Sequence, residues 1–317
     1  MTSLDYRKFI REFEPVYKRY CLKQFRNVLT ATEIYRYILR KGNRLRPYLI
    51  QLTYHGSITS KKNNDNVLLS LQCSYELLHT YAKLSDDLVD FYIPQNRLTN
   101  KELSRRILLA DICLLKANQG FFSLPSSSLQ LLQKSWLEMQ DRTWSGQYNE
   151  IFGQVKDLQS ITHIAINKSA LYTFSYPFSL GAQLGRDNNL SKKLFALGKK
   201  LGLAYQIQND IRSFNNREVI SEDLINYRLN IVTYTACQHN PLVKQAFSSQ
   251  KKTSKKDLRV LGKLIASNEN LEIVKNKARE IINSARRDII NLPIRPEVKG
   301  ELVAHIHRIF YEFQSEK

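Results

Sequence analysis

Apolar residues recur at three- and four-residue spacing through nearly every segment of this 317-residue chain, with no β-rich block among them. A chain patterned this way buries its apolar stripes by packing helix on helix. The periodicity breaks where polar and turn residues gather. These places lie near Gly56 to Asn66, Pro94 to Asn100, Ser123 to Ser128, Gly153 to Ser160, Gly185 to Ser191, Asn215 to Glu222, Ser248 to Lys256 and Leu292 to Pro296. The segments between them are long for ordinary helices. With 11 Gly and 8 Pro there is little turn chemistry for an all-β fold. No internal repeat and no domain-separating linker intervenes, so the pattern predicts one all-α domain over 1–317.

Charge narrows the partners. The balance of 48 basic to 29 acidic residues gives +19, which points to anions. Nucleic acid is not expected, because there is no zinc spacing, no ribonucleoprotein-type aromatic motif and no concentrated basic arm. The densest run, Ser248 to Lys256, reads as a solvated loop. Anionic substrates, or at most peripheral contact with an anionic membrane surface, fit the charge. Cys21, Cys73, Cys113 and Cys237 are far apart and mostly in apolar runs, the usage of reduced core cysteines. The N-terminus has no apolar signal core, and no run reaches the ~18 apolar residues of a membrane span. A soluble, cytoplasmic protein is expected.

Two segments carry chemistry. ELLHTYAKLSDDLVD, Glu76 to Asp90, is an apolar helical run ending in Asp86, Asp87 and Asp90. Asp86 and Asp90 are one turn apart, so their carboxylates point the same way and repel by roughly a few tenths of a kcal/mol. Among Leu77, Leu78, Leu84, Leu88 and Val89 such acids favour hard divalent cations, although an ordinary acidic helix end reads the same way. GLAYQIQNDIRSF, Gly202 to Phe214, is a second such run, carrying Gln206, Asn209, Asp210 and Ser213. Two helices with oxygen ligands at one-turn spacing suit a diphosphate held through magnesium, if they face each other across a cavity.

In order along almost the whole chain, these segments and several others resemble the trans-isoprenyl diphosphate synthases, or polyprenyl synthetases. KGNRLRP, Lys41 to Pro47, is similar to the family's Gly-Gly-Lys-Arg-x-Arg-Pro element. LLADICL around Asp111 and SGQYNE around Gln147 resemble two core-helix signatures, and INKSA contains the Lys-Thr/Ser-Ala element at Lys168 and Ser169. EDLINYRLNIV, Glu222 to Val232, echoes Asp-x-x-x-Gly-Lys-x-Thr-Leu-Pro with Arg228 at the lysine position.

The resemblance implies a large helical bundle of the isoprenoid synthase type with a central apolar cavity, assembled as a homodimer or a heteromer. It implies condensation of isopentenyl diphosphate with an allylic diphosphate, using two to three magnesium ions. Carried over residue by residue, Asp86 and Asp90, flanked by Asp87, would bind the ions that bridge the allylic diphosphate. Asn209, with Asp210 and Ser213, would bind another. Lys168, Arg228, Gln206 and Arg97 would serve the allylic diphosphate; Lys41, Arg44 and His79 would contact isopentenyl diphosphate. A carbon–oxygen bond ionises only if the departing diphosphate's charge is offset, and the resulting cation must be kept from water. Tyr81, Tyr205, Phe174 and Phe178 are candidate walls, and each would serve equally as plain core.

The sequence departs from the family at three places. Asn43 replaces a lysine of the acceptor element, and the Arg-Arg-Gly after the first motif is reduced to Arg97. In the second motif Asp-Asp-x-x-Asp has become Asn209-Asp210-Ile211-Arg212-Ser213, close to the Asn-Asp-x-x-Ser of class I terpene cyclases. An active prenyltransferase is favoured over such a cyclase, and both over a non-catalytic subunit of a heteromeric synthase. Tyr81, five positions before Asp86, is expected to floor the product cavity and stop growth at farnesyl or geranylgeranyl length. His305 and His307 diverge on a helix, and His55, His163 and His239 lack sequence neighbours that would make them ligands.

Overall fold

The computed structural model describes residues 4–40, 42–57, 64–92, 99–155, 157–215, 220–250 and 253–313, and for 90–92 and 215 the backbone alone. The fold is all-α, with no strand among the described residues. In chain order the helices are α1 (Tyr6–Phe25), α2 (Ala31–Glu33), α3 (Leu45–Ser57), α4 (Asp65–Tyr92), α5 (Asn100–Phe122), α6 (Ser126–Phe152), α7 (Leu158–Ala165), α8 (Tyr176–Leu184), α9 (Asn188–Asn215), α10 (Glu222–Ile225), α11 (Ile231–His239), α12 (Pro241–Ser249), α13 (Lys255–Ile265), α14 (Asn268–Ile290) and α15 (Pro296–Ile309). Ile34–Ile38 and Ile166–Ser175 wind more widely, as π-helix.

Every expected break falls between two helices, and side-chain caps start the next one where the sequence supplies them. The Thr99 hydroxyl accepts from the Glu102 N–H ahead of α5, and the Ser254 hydroxyl from the Asp257 N–H ahead of α13. Two more breaks carry no polar cluster. Asn240 both ends α11 and caps α12, accepting from the N–H groups of Leu242 and Val243 with Pro241 in the first turn. Ala266 ends α13, and the adjacent Ser267 caps α14 by accepting from the Asn270 N–H.

The chain groups into two compact units. Unit 1 comprises Met1–Ser135, Pro177–Ser191 and Ile294–Glu301. Its α1 buries Phe9, Phe13, Tyr17, Cys21 and Phe25, one per turn, and Phe9–Phe13 and Phe13–Tyr17 stack with centroids 5.2 and 5.6 Å apart. α4 buries the run from Leu71 to Leu78 on all sides, which fixes the helix that carries the first aspartates.

Unit 2 comprises Trp136–Tyr176, Lys192–Pro293 and Leu302–Lys317. Here the π stretch is gripped at three glycines, Gly146, Gly198 and Gly202. A Cβ on Gly146 of α6 would lie 2.5 Å from the Lys168 backbone nitrogen, and one on Gly202 of α9 would lie 2.4 Å from the Ala170 Cα. No other residue fits either place, so α6 and α9 both approach the backbone that presents Lys168. α14 adds a regular apolar stripe of Leu271, Val274, Ala278, Ile282, Ala285 and Ile289. All four cysteines are free and buried. No described helix is long and apolar enough to cross a membrane.

Candidate functional site

In unit 1, α4 runs unbroken through His79, Lys83, Asp86 and Asp90, spaced so that all four fall on one face. Asp86 and Asp87 are half-buried, and Asp87 is paired to Arg40 at 3.6 Å. Asp90 lies on the helix as expected, though its side chain is outside the described residues, as are Lys41 and Arg97. Burial holds the His79 imidazole well below its ordinary pKa, and the nearby charges of Arg46, Lys83 and Arg44 act in the same direction. His79 is therefore neutral at physiological pH. Lys83, exposed and one turn from His79, is a cation on this face that motif matching passed over. Tyr81 and Ala82 are half-buried on the same helix.

Arg44 immediately precedes α3 in unit 1. Its side chain is buried and already engaged, with Nη1 donating to Glu76 Oε1 at 2.7 Å and Nε to Glu14 Oε1 at 2.7 Å. Nη2 adds bonds to Glu14 Oε2 at 3.2 Å and to the Arg40 carbonyl at 3.0 Å, and the guanidinium lies 5.0 Å from the Tyr17 ring centroid. Desolvation disfavours the charge, but Glu76 and Glu14 outweigh it and hold the pKa above the ordinary value. The Arg44 backbone lies in the left-handed region at φ 46°, a strain of about 1–2 kcal/mol. An incoming diphosphate would have to compete with two carboxylates for this side chain.

In unit 2, α9 presents Gln206, Asn209, Asp210 and Ser213. Asp210 is buried, and Gln206 Nε2 donates to its Oδ1 at 2.7 Å. Ser213 Oγ donates back to the Asp210 carbonyl at 2.7 Å, while Asn209 stays half-buried. Two further acids converge here. Burial pushes the Asp210 carboxyl up to about 8, with Asp223 and Glu150 adding repulsion against the Gln206 bond and the Lys168 charge. Burial also pushes Asp223 up to about 6, with Glu150 raising it further while Lys168, Asn230 and Arg228 oppose. Lys168 is ion-paired to Glu150, and Asn230 Nδ2 donates to Asp223 Oδ2 at 2.8 Å. Arg228 is half-buried beside this group, its backbone N–H donating to the Asp223 carbonyl at 2.7 Å.

Glu14, Glu76, Glu150 and Asp223 were missed as partners in the sequence. The signal was partly present: Glu76 opens the first motif, Glu150 ends SGQYNE and Asp223 heads the stretch before Arg228. Among the candidate walls, Phe174 is fully buried and packs edge-on to Tyr205 at 5.6 Å in unit 2, and Phe178 is fully buried in unit 1. His305 is buried beside Arg308, whereas His307 is exposed.

The donor chemistry fits magnesium. Asp86 offers hard oxygens on α4, and the crowding of Asp210, Asp223 and Glu150 is an excess of carboxylate that a cation would relieve. Among the described residues no three His, Cys, Asp or Glu side chains form a ready metal cage. Magnesium takes one or two carboxylates and keeps its waters, so a full cage is not its requirement.

Residues 29–265 match the family model described as polyprenyl synthetase. A farnesyl diphosphate synthase from Micrococcus luteus is 27% identical over 214 residues, covering 61% of this chain and 70% of that one. The fold superposes on geranylgeranyl pyrophosphate synthase from Corynebacterium glutamicum, crystallised with isoprenyl diphosphate and magnesium, with TM-score 0.80 and 19% identity over 97% of this chain and 99% of that one. Heptaprenyl diphosphate synthase from Staphylococcus aureus gives TM-score 0.79 at 16% identity, over 96% and 98% of the two chains. At these identities the solved structures speak for the fold.

Proposed function

The chain belongs to the polyprenyl synthetase family, and from that premise we propose that it condenses isopentenyl diphosphate with an allylic diphosphate to an all-trans product of farnesyl or geranylgeranyl length. The observation that carries this reading is the single face of α4 bearing His79, Asp86 and Asp90. The similarity to a farnesyl diphosphate synthase supports the shorter products.

Asp86 and Asp90 of α4, and Asn209 and Asp210 of α9, would hold magnesium, with Asp87 and Ser213 flanking them. When bound, magnesium supplies positive charge to the diphosphate oxygens. Lys168 and Arg228 receive the leaving diphosphate's charge, and Gln206 keeps Asp210 in place through their 2.7 Å bond. His79, neutral and half-buried, offers a hydrogen bond to the acceptor's diphosphate, with Lys83 and Arg46 supplying charge nearby. Lys41 and Arg97 complete the two diphosphate sites. The Phe174–Tyr205 pair is an apolar wall suited to exclude water from the allylic cation. The protein acts in the cytoplasm as a homodimer, and the exposed stripe of Leu108, Leu115 and Phe122 on α5 supports a second copy as its cover.

One observation favours the cyclase reading. With Asn43 in place of lysine and Arg44 committed to Glu14 and Glu76, the acceptor side is depleted. Radiolabelled isopentenyl diphosphate with dimethylallyl, geranyl or farnesyl diphosphate and magnesium separates the two. Label in a longer prenyl diphosphate is the expected result. A hydrocarbon or alcohol from the allylic substrate alone, with no label, would replace it with a cyclase.

A further inference from the structure

Unit 2 contains a cavity of about 410 Å³ on the side of α9 where the helix ends, walled by α9, α10, α13 and the start of α14. None of its residues is assigned a part in prenyl transfer except Ser213, which stands at its edge. Its volume lies within the range of small-molecule sites, about 300–1,000 Å³.

The lining has two chemistries. Phe214, Leu224 and Leu258 give an apolar floor, and all three are buried. Arg259 and Lys263, one turn apart on α13, give a cationic rim. That helix buries Leu258, Leu261 and Ile265 in the core, so its two cations are left at the mouth. Neither is ion-paired to a carboxylate among the described residues. Ser267 and Asn268 at the start of α14 also border the cavity; the Ser267 hydroxyl already caps the Asn270 N–H, and the Ser267 N–H donates to the Leu264 carbonyl at 3.3 Å, so the cavity's charge comes from α13. Gly262 keeps the space open: a Cβ there would meet only Leu224 Cδ2, at 3.4 Å.

We propose that this cavity binds a phosphate monoester with a short apolar chain, the phosphate between Arg259 and Lys263 and the chain against Phe214, Leu224 and Leu258. Two cations one turn apart at the mouth suit a compact anion of more than one charge, which a phosphate supplies. An apolar floor gives nothing to inorganic phosphate, so the tail belongs to the ligand. The site also touches the second motif. Ser221 Oγ in its wall donates to Ser213 Oγ at 3.4 Å, and Ser213 Oγ donates to the Asp210 carbonyl at 2.7 Å.

Calorimetric titration of geranyl monophosphate into the full chain, in buffer with EDTA so that metal-dependent binding is silent, tests this directly. Saturable binding at one site per chain is expected, with inorganic phosphate at least tenfold weaker. The Arg259→Ala/Lys263→Ala variant removes two exposed side chains and should bind geranyl monophosphate at least tenfold more weakly. Gly262→Leu fills the floor and leaves both cations, so it should reduce the ester's affinity to that of inorganic phosphate. Circular dichroism confirms that each variant is folded. No saturable binding by the wild type, equal affinity for ester and inorganic phosphate, or unchanged affinity in either variant would overturn the proposal.

Discussion

Arg44 and Glu76 form a buried ion pair in unit 1, with Nη1 donating to Oε1 at 2.7 Å and both side chains no more than 5% exposed. Glu76 opens the helical run that ends in the aspartates, so the pair ties the Lys41-to-Pro47 element to α4. Replacing the arginine leaves a carboxylate in a place from which water is excluded. Arg44→Ala should cost about 3–5 kcal/mol in urea unfolding, the range for breaking a buried pair. Glu76→Gln should cost less, because an amide oxygen still accepts the bond. If Arg44 served chiefly as a substrate contact, Arg44→Ala would instead raise KM for isopentenyl diphosphate with stability unchanged.

Tyr227 stands where the family's element has glycine, and its backbone takes the left-handed conformation that favours glycine, at φ 49°. The tyrosine offsets that strain with its side chain: the hydroxyl bonds Thr253 Oγ1, and the ring meets Phe247 edge-on at 5.6 Å. The strain is about 1–2 kcal/mol, the hydrogen bond about 1 kcal/mol and the ring contact about 1 kcal/mol. Tyr227→Ala keeps the strain and loses both contacts, so it should be the most destabilising substitution, by about 2 kcal/mol. Tyr227→Phe should lose about 1 kcal/mol. Tyr227→Gly should be near neutral, because relief and loss cancel. Denaturation midpoints of the three variants check that order.

The helices were legible because apolar periodicity and polar breaks are local. Asn240 and Ser267 escaped for a physical reason: a single capping side chain can turn the chain without a polar cluster. The π winding of Ile166–Ser175 is invisible to a 3.6-residue pattern, and it coincides with close approaches from Gly146, Gly198 and Gly202, which are distant in sequence. At the site, residue types and spacings within α4 and α9 could be read directly. Partners distant in sequence could not. Nothing in KGNRLRP says that Arg44 belongs to Glu14 and Glu76, or in INKSA that Lys168 meets Glu150. Those pairings require the fold.

Asp210 and Asp223 give the metal-free protein a defined pH dependence. Burial raises their folded-state values to about 8 and about 6 from an ordinary 3.8, with repulsion from Asp223 and Glu150 adding to the first and from Glu150 to the second. A carboxyl raised on folding binds its proton more tightly in the folded state, so its contribution is full below the ordinary value and is lost as pH rises through the folded one. The melting temperature should fall as pH rises from about 4 to about 8 and level off above that. Asp210→Asn should remove the upper part of the fall. Magnesium, which favours ionised carboxylates, should flatten it in the wild type and release protons on binding. A wild-type profile that rises from pH 5 to pH 8 without metal would refute this account.

Leu108, Leu115 and Phe122 recur every seventh residue on α5, with exposures of 60%, 54% and 45%. Two helical turns separate neighbours, so the three make one apolar seam on the outside of unit 1. Leu108→Arg/Leu115→Arg should convert a dimer to a monomer in analytical ultracentrifugation, with the helical spectrum unchanged. A wild-type chain that sediments as a monomer would remove the seam's proposed partner.

Tyr81 is the residue through which product length should respond. It lies on α4 five positions before Asp86, about 7.5 Å along the axis at 1.5 Å per residue, and it is half-buried. A prenyl chain that grows away from a diphosphate held near Asp86 and Asp90 would meet this ring before anything deeper on the helix. Its neighbour Ala82 offers only a methyl group to that space. Tyr81→Ala removes the ring while leaving a good helix former, so α4 should remain intact. The product should then lengthen by roughly one isoprene unit or more, since a close-packed wall admits chain only where volume is released. Chromatography of the dephosphorylated alcohols reads the distribution directly. Unchanged lengths in an active variant would mean that another side chain forms the floor.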